Sequence, residues 1–233
     1  MPARQLKPGV YLLPRRLGAC NVYAVVDDGR WALIDTGNHR RTPPVVEAFR
    51  RRLGLGPPEY LLVTHWHPDH LGGSGPLKRR WGAPLVLHAA DHRYARIDEM
   101  PALSPLGWAE HTFSDNNPRP VEPDIACANG DVFPVGDLEI IAVHTPGHSP
   151  GHCAYYLPQR RTLFLGDALG GKGGTILGDP RLFSALPGEA LSSLERVARL
   201  EFDLLAAGHQ LHRSAELPRL LSRFIERFRR SSR

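Results

Sequence analysis

The apolar run Tyr60-Leu61-Leu62-Val63 leads, after one threonine, into the hexapeptide His65-Trp66-His67-Pro68-Asp69-His70. The run is short and rich in strand formers, which predicts a buried strand with the hexapeptide in the loop at its end. Four of those six residues are able to ligate a metal, and none of the four belongs in an apolar core. A chain built this way must bring other polar groups to the same strand end. In an extended backbone alternate side chains share a side, so His65 and His67 can converge on one ion. Asp69 and His70 lie beyond Pro68, where a helix can begin, and point elsewhere. The box therefore invites two ions. Imidazole and carboxylate suit zinc, iron or manganese, and a site needs at least three protein ligands, so further partners are expected along the chain.

Three later positions repeat the order strand, turn, ligand. His148 stands in Thr145-Pro146-Gly147-His148-Ser149, just past a strand ending at Val143, where Pro and Gly hold an unusual turn. Asp167 closes Leu163-Phe164-Leu165-Gly166-Asp167, whose glycine lets the backbone approach something closely. A carboxylate ending a buried strand needs a partner, and a place between two cations supplies one. His209 ends Ala206-Ala207-Gly208-His209. All the candidates sit at strand ends, where a site between two sheets would collect them.

The rest of the pattern fits such a frame. Val10 to Leu13, Asn21 to Val26 and Trp31 to Ile34 read as antiparallel strands, with Asp28-Gly29 as a turn. Thr42 to Leu53 reads as a helix behind Pro43-Pro44, Leu71 to Trp81 as a short helix, and Pro84 to His88 as a strand. Residues 91–126 are rich in proline and lack a period, which marks an irregular insertion and a candidate lid, with Trp108 and Phe113 as candidate pocket residues. The β pattern resumes at Asp131 with two hairpins, Val132-Phe133 with Leu138 to Val143, and Cys153 to Leu157 with Thr162 to Leu165. Ser192 to Leu200 is helical by spacing and Asp203 to Ala206 reads as a strand. A last helix over 214–230 carries one apolar stripe opposite an arginine face, which predicts core packing rather than membrane binding.

At 233 residues with 42% hydrophobic content, the chain suits a single domain, 1–233, with ample material for a core. Its formal charge of +5 comes partly from Arg50-Arg51-Arg52, Arg79-Arg80 and Arg229-Arg230. These are scattered clusters, as expected of solvated faces rather than a nucleic-acid track, although they can draw in anionic substrates. Cys20, Cys127 and Cys153 form no Cys-x-x-Cys pair, and an odd count argues against a disulfide framework. A reducing cytoplasm is expected. Charges and prolines occupy the start, where a signal peptide needs an apolar core, and no stretch approaches about 18 apolar residues. The expected partner is a small-molecule substrate, with a homodimer allowed and neither nucleic acid nor membrane expected.

Taken in order, Leu33-Ile34-Asp35-Thr36-Gly37, the His65 to His70 box, Thr145-Pro146-Gly147-His148, Gly166-Asp167 and Gly208-His209 resemble the motifs of the metallo-β-lactamase fold superfamily, closest in style to its glyoxalase II-like hydrolases. The resemblance implies an α/β (α+β) fold, an αββα sandwich of two mixed sheets flanked by helices. It implies that His65, His67 and His148 bind one divalent metal and Asp69, His70 and His209 a second, with Asp167 bridging. Zinc is the expected metal, with iron or manganese as alternatives. Asp35 would support the ligand loop from behind, and His144 would serve similarly or simply pack at its strand end. The implied activity is a binuclear hydrolase that cleaves a thioester, ester or lactone with a metal-bridging hydroxide, Asp69 acting as the catalytic orienter. The alternative is a mononuclear Fe(II) oxidoreductase resembling persulfide dioxygenases, and a nuclease of the same superfamily ranks third.

Some features depart from that pattern or mislead. Only 24 residues follow His209, whereas glyoxalase II enzymes carry a C-terminal helical region with basic residues for glutathione. Ala168 to Gly174 lacks the Leu-Phe continuation often seen after the Gly-Asp pair. Gly166 to Lys172 matches Gly-x4-Gly-Lys, but Gly173 stands where a P-loop needs Ser or Thr, so nucleotide binding is rejected. Lys172 is then a residue of a glycine-rich loop beside the site. His39 is a candidate for the site mouth, and His152 is expected to face the strand side. His88, His92, His111 and His212 read as surface or packing histidines, and Cys20 and Cys153 as small buried hydrophobes.

Overall fold

The computed structural model describes residues 2–14, 20–96, 120–169 and 184–231. The first sheet holds seven strands in chain order: β1 (Arg4–Lys7), β2 (Val10–Leu12), β3 (Tyr23–Asp27), β4 (Arg30–Ile34), β5 (Tyr60–Leu62), β6 (Leu85–His88) and β7 (Ile125–Cys127). Its first three pairings are antiparallel and its last three parallel. The second sheet runs β13 (Leu211–Arg213), β12 (Leu204–Ala207), β11 (Thr162–Gly166), β10 (Cys153–Leu157), β9 (Leu138–His144), β8 (Val132–Val135). Only β11 and β12 pair in parallel there. Both sheets are therefore mixed, as expected.

Three apolar layers explain why the sheets stack. Between them lie Val25, Ile34, Leu62 and Val86 of the first sheet against Phe133, Ile140, Tyr155 and Phe164 of the second. The outer face of the first sheet is covered by α1 (Thr42–Leu53) and α3 (Ser74–Trp81), which bury Val46, Phe49 and Leu77. The outer face of the second is covered by α5 (Pro187–Ala198) and α6 (Leu217–Ser231), through Leu194, Val197, Leu221 and Phe224. Each fully buried side chain of this size contributes about 1.5–3 kcal/mol relative to exposure. The order helix, sheet, sheet, helix is the αββα sandwich. Among the described residues no helix is long and apolar enough to cross a membrane.

Element ends follow local chemistry. Prolines occupy the first positions of α1, and Gly54, at φ 66°, turns its N–H back onto the last carbonyls of the helix. The helix expected over Leu71 to Trp81 starts at Ser74 instead. A single turn, α2 (Pro68–Leu71), precedes α3, because Gly72 and Gly73 press against the loop after β4. A Cβ on Gly73 would collide with Thr36 O, so the break docks the box onto the first helix connection. The helix expected over 192–200 starts earlier, at Pro187, and the final helix starts at Leu217 rather than 214.

The reading of 91–126 as irregular throughout is corrected at both ends. It opens on the short α4 (His92–Ala95) and closes on β7, four residues before Asp131. β7 completes the parallel edge by pairing Ile125, Ala126 and Cys127 with Val86, Leu87 and His88. Trp108, Phe113, His111 and Lys172 lie outside the described residues. Arg50, Arg51 and Arg80, from two of the basic clusters, converge on Glu47 at 3.0, 2.6 and 3.2 Å.

Candidate metal centre

Because β4, β5 and β6 run parallel, their C-terminal ends open on one side, and the box follows β5 there. His67 is extended, with φ −57° and ψ 145°, as a residue before proline must be, and α2 then turns the chain away. The box is thus half loop and half helix, which sends its four ligand candidates in two directions. From the second sheet, the loop after β9 brings His148, the end of β11 brings Asp167 and the end of β12 brings His209.

The first group is His65, His67 and His148. His67 Nδ1 lies 3.0 Å from His65 Nε2 and 2.9 Å from His148 Nε2. Burial lowers the pKa of His65 well below its ordinary value, and burial with the neighbouring His148 lowers that of His67 to about 3. Both rings are neutral at pH 7 and present lone pairs to one point. The second group is Asp69, His70 and His209, whose ligand atoms lie within 4.8 Å of one another. Asp69 Oδ2 is 3.2 Å from His209 Nε2 and 3.7 Å from His70 Nε2.

Asp167 stands between them. Its Oδ2 is 3.2 Å from His209 Nε2, 3.4 Å from His70 Nε2 and 4.0 Å from His148 Nε2. Asp167 drives the pKa of His209 up to about 10, against the pull of burial. Burial works against the charged form of His70 too, but Cys20, Asp167, Asp35 and Asp69 push its pKa well above the usual value. The carboxylate of Asp69 feels burial first, yet His70 and His209 hold it down at about 2. The two groups differ in kind: one is made of imidazoles alone, of which burial keeps His65 and His67 neutral, and the other sets carboxylates beside imidazoles that hold protons. An incoming cation displaces those protons.

The donor set fits divalent metal. His70 Nε2 is buried with no hydrogen-bond partner, while its other ring nitrogen lies 2.9 Å from Asp35 Oδ2. A buried ring nitrogen with no hydrogen-bond partner, facing two carboxylates and a second imidazole, is costly unless a cation replaces its proton and completes the set. Behind the site Asp35, at φ 59° and 2% exposed, accepts from Thr64 N–H at 2.8 Å and lies 2.9 Å from Thr64 Oγ1. Thr64 Oγ1 in turn lies 3.0 Å from His65 Nδ1. Asp35 and Thr64 thus hold the δ nitrogens of His65 and His70 and leave both ε nitrogens pointing into the site.

The glycines before the ligands allow close approach. A Cβ on Gly166, at φ 54°, would lie 2.6 Å from His152 Nε2. On Gly208 it would collide with Asp167 Oδ1 and lie 2.6 Å from His70 Cε1. Gly208→Ala is therefore expected to displace Asp167 and His70 although it alters no ligand. The protein should fold and bind less than half the metal of the wild type, read by elemental analysis of purified protein. Wild-type metal content would contradict the packing described.

All seven ligand candidates are brought together. His39 is half-buried beside Gly72 and joins neither group. His144 reaches the loop rather than a ligand, its Nε2 3.0 Å from Pro150 O, and stacks on His88 at 4.0 Å. His92 lies 3.0 Å from Leu87 O and His212 2.9 Å from Gln210 Oε1, as packing histidines. Cys20 is buried as expected, but its sulfur also lies within 4.8 Å of ligand atoms of Asp35 and His70.

His152, expected to face the strand side, turns toward the ligands instead, and two further residues beside the site escape sequence reading. His152 is fully buried behind His65; its Nε2 accepts the Asp167 N–H at 3.1 Å and its Nδ1 lies 2.8 Å from Thr145 Oγ1. Thr64 and Asp91 complete the set. A His four residues past a candidate ligand was the only signal for the first, and the other two carried none.

Among solved structures, a metallo-beta-lactamase family protein from Thermus thermophilus matches with a TM-score of 0.72 and 27% identity, over 97% of this chain and 81% of that one. A subclass B3 metallo-beta-lactamase of Bradyrhizobium japonicum shares the fold, with a TM-score of 0.73 at 21% identity, over 99% of this chain and 93% of that one. An uncharacterized protein of Aquifex aeolicus is 34% identical over 150 residues, 64% of each chain. A hydroxyacylglutathione hydrolase of Brucella ovis is 29% identical over 153 residues, 65% of this chain and 48% of that one. The match thus spans about half the length of the Brucella enzyme. The model of the metallo-beta-lactamase superfamily, whose fold carries divalent metal, matches residues 15–209, and the chain belongs to that superfamily.

Proposed function

We propose that the protein is a hydrolase that holds two divalent ions, most readily zinc, and cleaves a thioester, ester or lactone of a small molecule. The observation that carries this reading is the placement of Asp167 Oδ2 within 4.0 Å of a nitrogen from each group, where one carboxylate oxygen serves both. In this reading His65, His67 and His148 hold one ion, Asp69, His70 and His209 the other, and Asp167 bridges. When bound, such a pair of ions lowers the pKa of a shared water and polarises the carbonyl under attack. Likeness to hydroxyacylglutathione hydrolases supports a thioester as the first substrate class to try.

The chain's own residues supply the rest. Asp69, partly exposed and ionised, accepts a hydrogen bond from the attacking water and aims it. His209, more than a third exposed, lies on the open side of the second group, where a leaving thiolate or alkoxide departs. The alternative of a single Fe(II) uses His65, His67, His148 and Asp167 and leaves Asp69, His70 and His209 converging for no purpose.

The test is metal analysis joined to a substrate panel. Protein stripped by a chelator should be inactive on S-acyl thioesters, esters and lactones, and two equivalents of zinc should restore turnover of at least one class. His67→Ala should lose metal and turnover together. Full turnover by metal-free protein or by that variant overturns the reading; oxygen uptake on adding a persulfide to iron-loaded protein would favour the oxidoreductase instead.

A further inference from the structure

Asp91 ligates nothing in either group, yet it is a fully buried carboxylate. It follows β6, the strand parallel to β5, so its backbone leaves the first sheet alongside the box. Its side chain is held by three donors from two different loops. Oδ2 accepts the N–H of Trp66, the residue between His65 and His67, at 3.3 Å, and the hydroxyl of Ser149, the residue after His148, at 2.6 Å. Oδ1 accepts the N–H of Gly151 at 2.6 Å. One carboxylate thus ties a loop of the first sheet to a loop of the second, one residue away from each ligand of the first group.

The fit is tight. A Cβ on Gly151 would lie 2.7 Å from Asp91 Cγ and 2.7 Å from its backbone nitrogen. Gly151 is not in the left-handed region, so only this close approach requires glycine there. The second group is tied differently, through His70 to Asp35 and through the Gly208 N–H to Gly166 O at 2.8 Å.

We propose that Asp91 is a positioning residue for one ion only: by stapling the box to the His148 loop it sets the spacing of His65, His67 and His148, and hence the affinity of that group for its metal. The inference rests on the two-ion reading above. It also accounts for a charge buried where no ligand needs it, since three directed donors hold the carboxylate to one geometry.

The experiment compares wild type with Asp91→Asn and Gly151→Ala. The first removes the charge and turns one acceptor into a donor that faces an N–H or O–H. The second keeps the carboxylate and forces the loops apart, so it carries the test if the first fails to fold. Zinc affinity is measured by competition with a chromophoric chelator, together with the melting temperature of metal-free protein and kcat and KM at limiting and saturating zinc. One of the two zinc affinities should fall about 10- to 100-fold while the other stays within about twofold. Turnover should fall at limiting zinc, recover at saturating zinc, and leave KM unchanged. Two unchanged affinities in both variants overturn the proposal, as does an equal loss of both together with a lowered melting temperature, the mark of a merely structural residue. A wild type that binds no zinc would overturn the two-ion reading itself.

Discussion

Asp167→Asn is expected to remove about 10³-fold or more of kcat/KM and to lower metal content from two ions to one or none. The substitution keeps the shape and takes away the charge. A carboxylate shared by two cations offsets their repulsion, and a neutral amide, with one oxygen and one NH₂, cannot face both. Losing one ion forfeits several kcal/mol of charge stabilisation at the carbonyl, and about 4 kcal/mol already corresponds to three orders of magnitude. A second readout needs no substrate. Asp167 is the largest cause of the raised pKa of His209, so in metal-free Asp167→Asn that pKa should drop from about 10 toward its ordinary value, measurable by NMR titration of the ring. Retention of two ions with wild-type turnover would remove the bridging role, and an unmoved His209 would show that the carboxylate is not where the structure places it.

That this residue was legible in the sequence, and Asp91 was not, has a physical reason. Asp167, His148 and His209 each follow an apolar strand and a glycine, so burial pattern and residue type together mark a polar group delivered to a sheet end. Asp91 follows His88-Ala89-Ala90 and has the local look of a helix start; its partners Trp66, Ser149 and Gly151 are 25 to 60 positions away, and no local pattern encodes them. Thr64 is equally silent, since a threonine between a strand and a histidine is ordinary until Asp35 is found facing it. The strands show the same division. β3, β4, β9, β10 and β11 have five residues or more and enough apolar character to be read, whereas β1, β7 and β13, of four, three and three residues, exist through pairing with a neighbour. Sandwich architecture follows from the longer strands alone, because the short ones only extend sheets already present.

Asp35→Asn is expected to cost both stability and the second ion, and the two losses have one origin. Asp35 offers two oxygens to three donors: the Thr64 N–H at 2.8 Å, the Thr64 hydroxyl at 2.9 Å and His70 Nδ1–H at 2.9 Å. An asparagine fits the backbone, which asparagine tolerates at φ 59°, but it has one oxygen and turns an NH₂ toward the remaining donors. If the oxygen faces Thr64, His70 can relieve the clash by giving up its δ proton and keeping the one on the ε nitrogen, the atom that faces the second group. A buried charge network broken on one side is worth on the order of 3 kcal/mol, which lowers the Tm of a chain this long by roughly 6 to 12 °C. Affinity at the Asp69, His70 and His209 group should fall about 10- to 100-fold, as for other partners that orient ligands. Calorimetric melting of metal-free protein and zinc titration of the same sample separate the two effects. A lowered Tm with unchanged affinity for both ions would mean that Asp35 holds the loop but does not set the proton on His70.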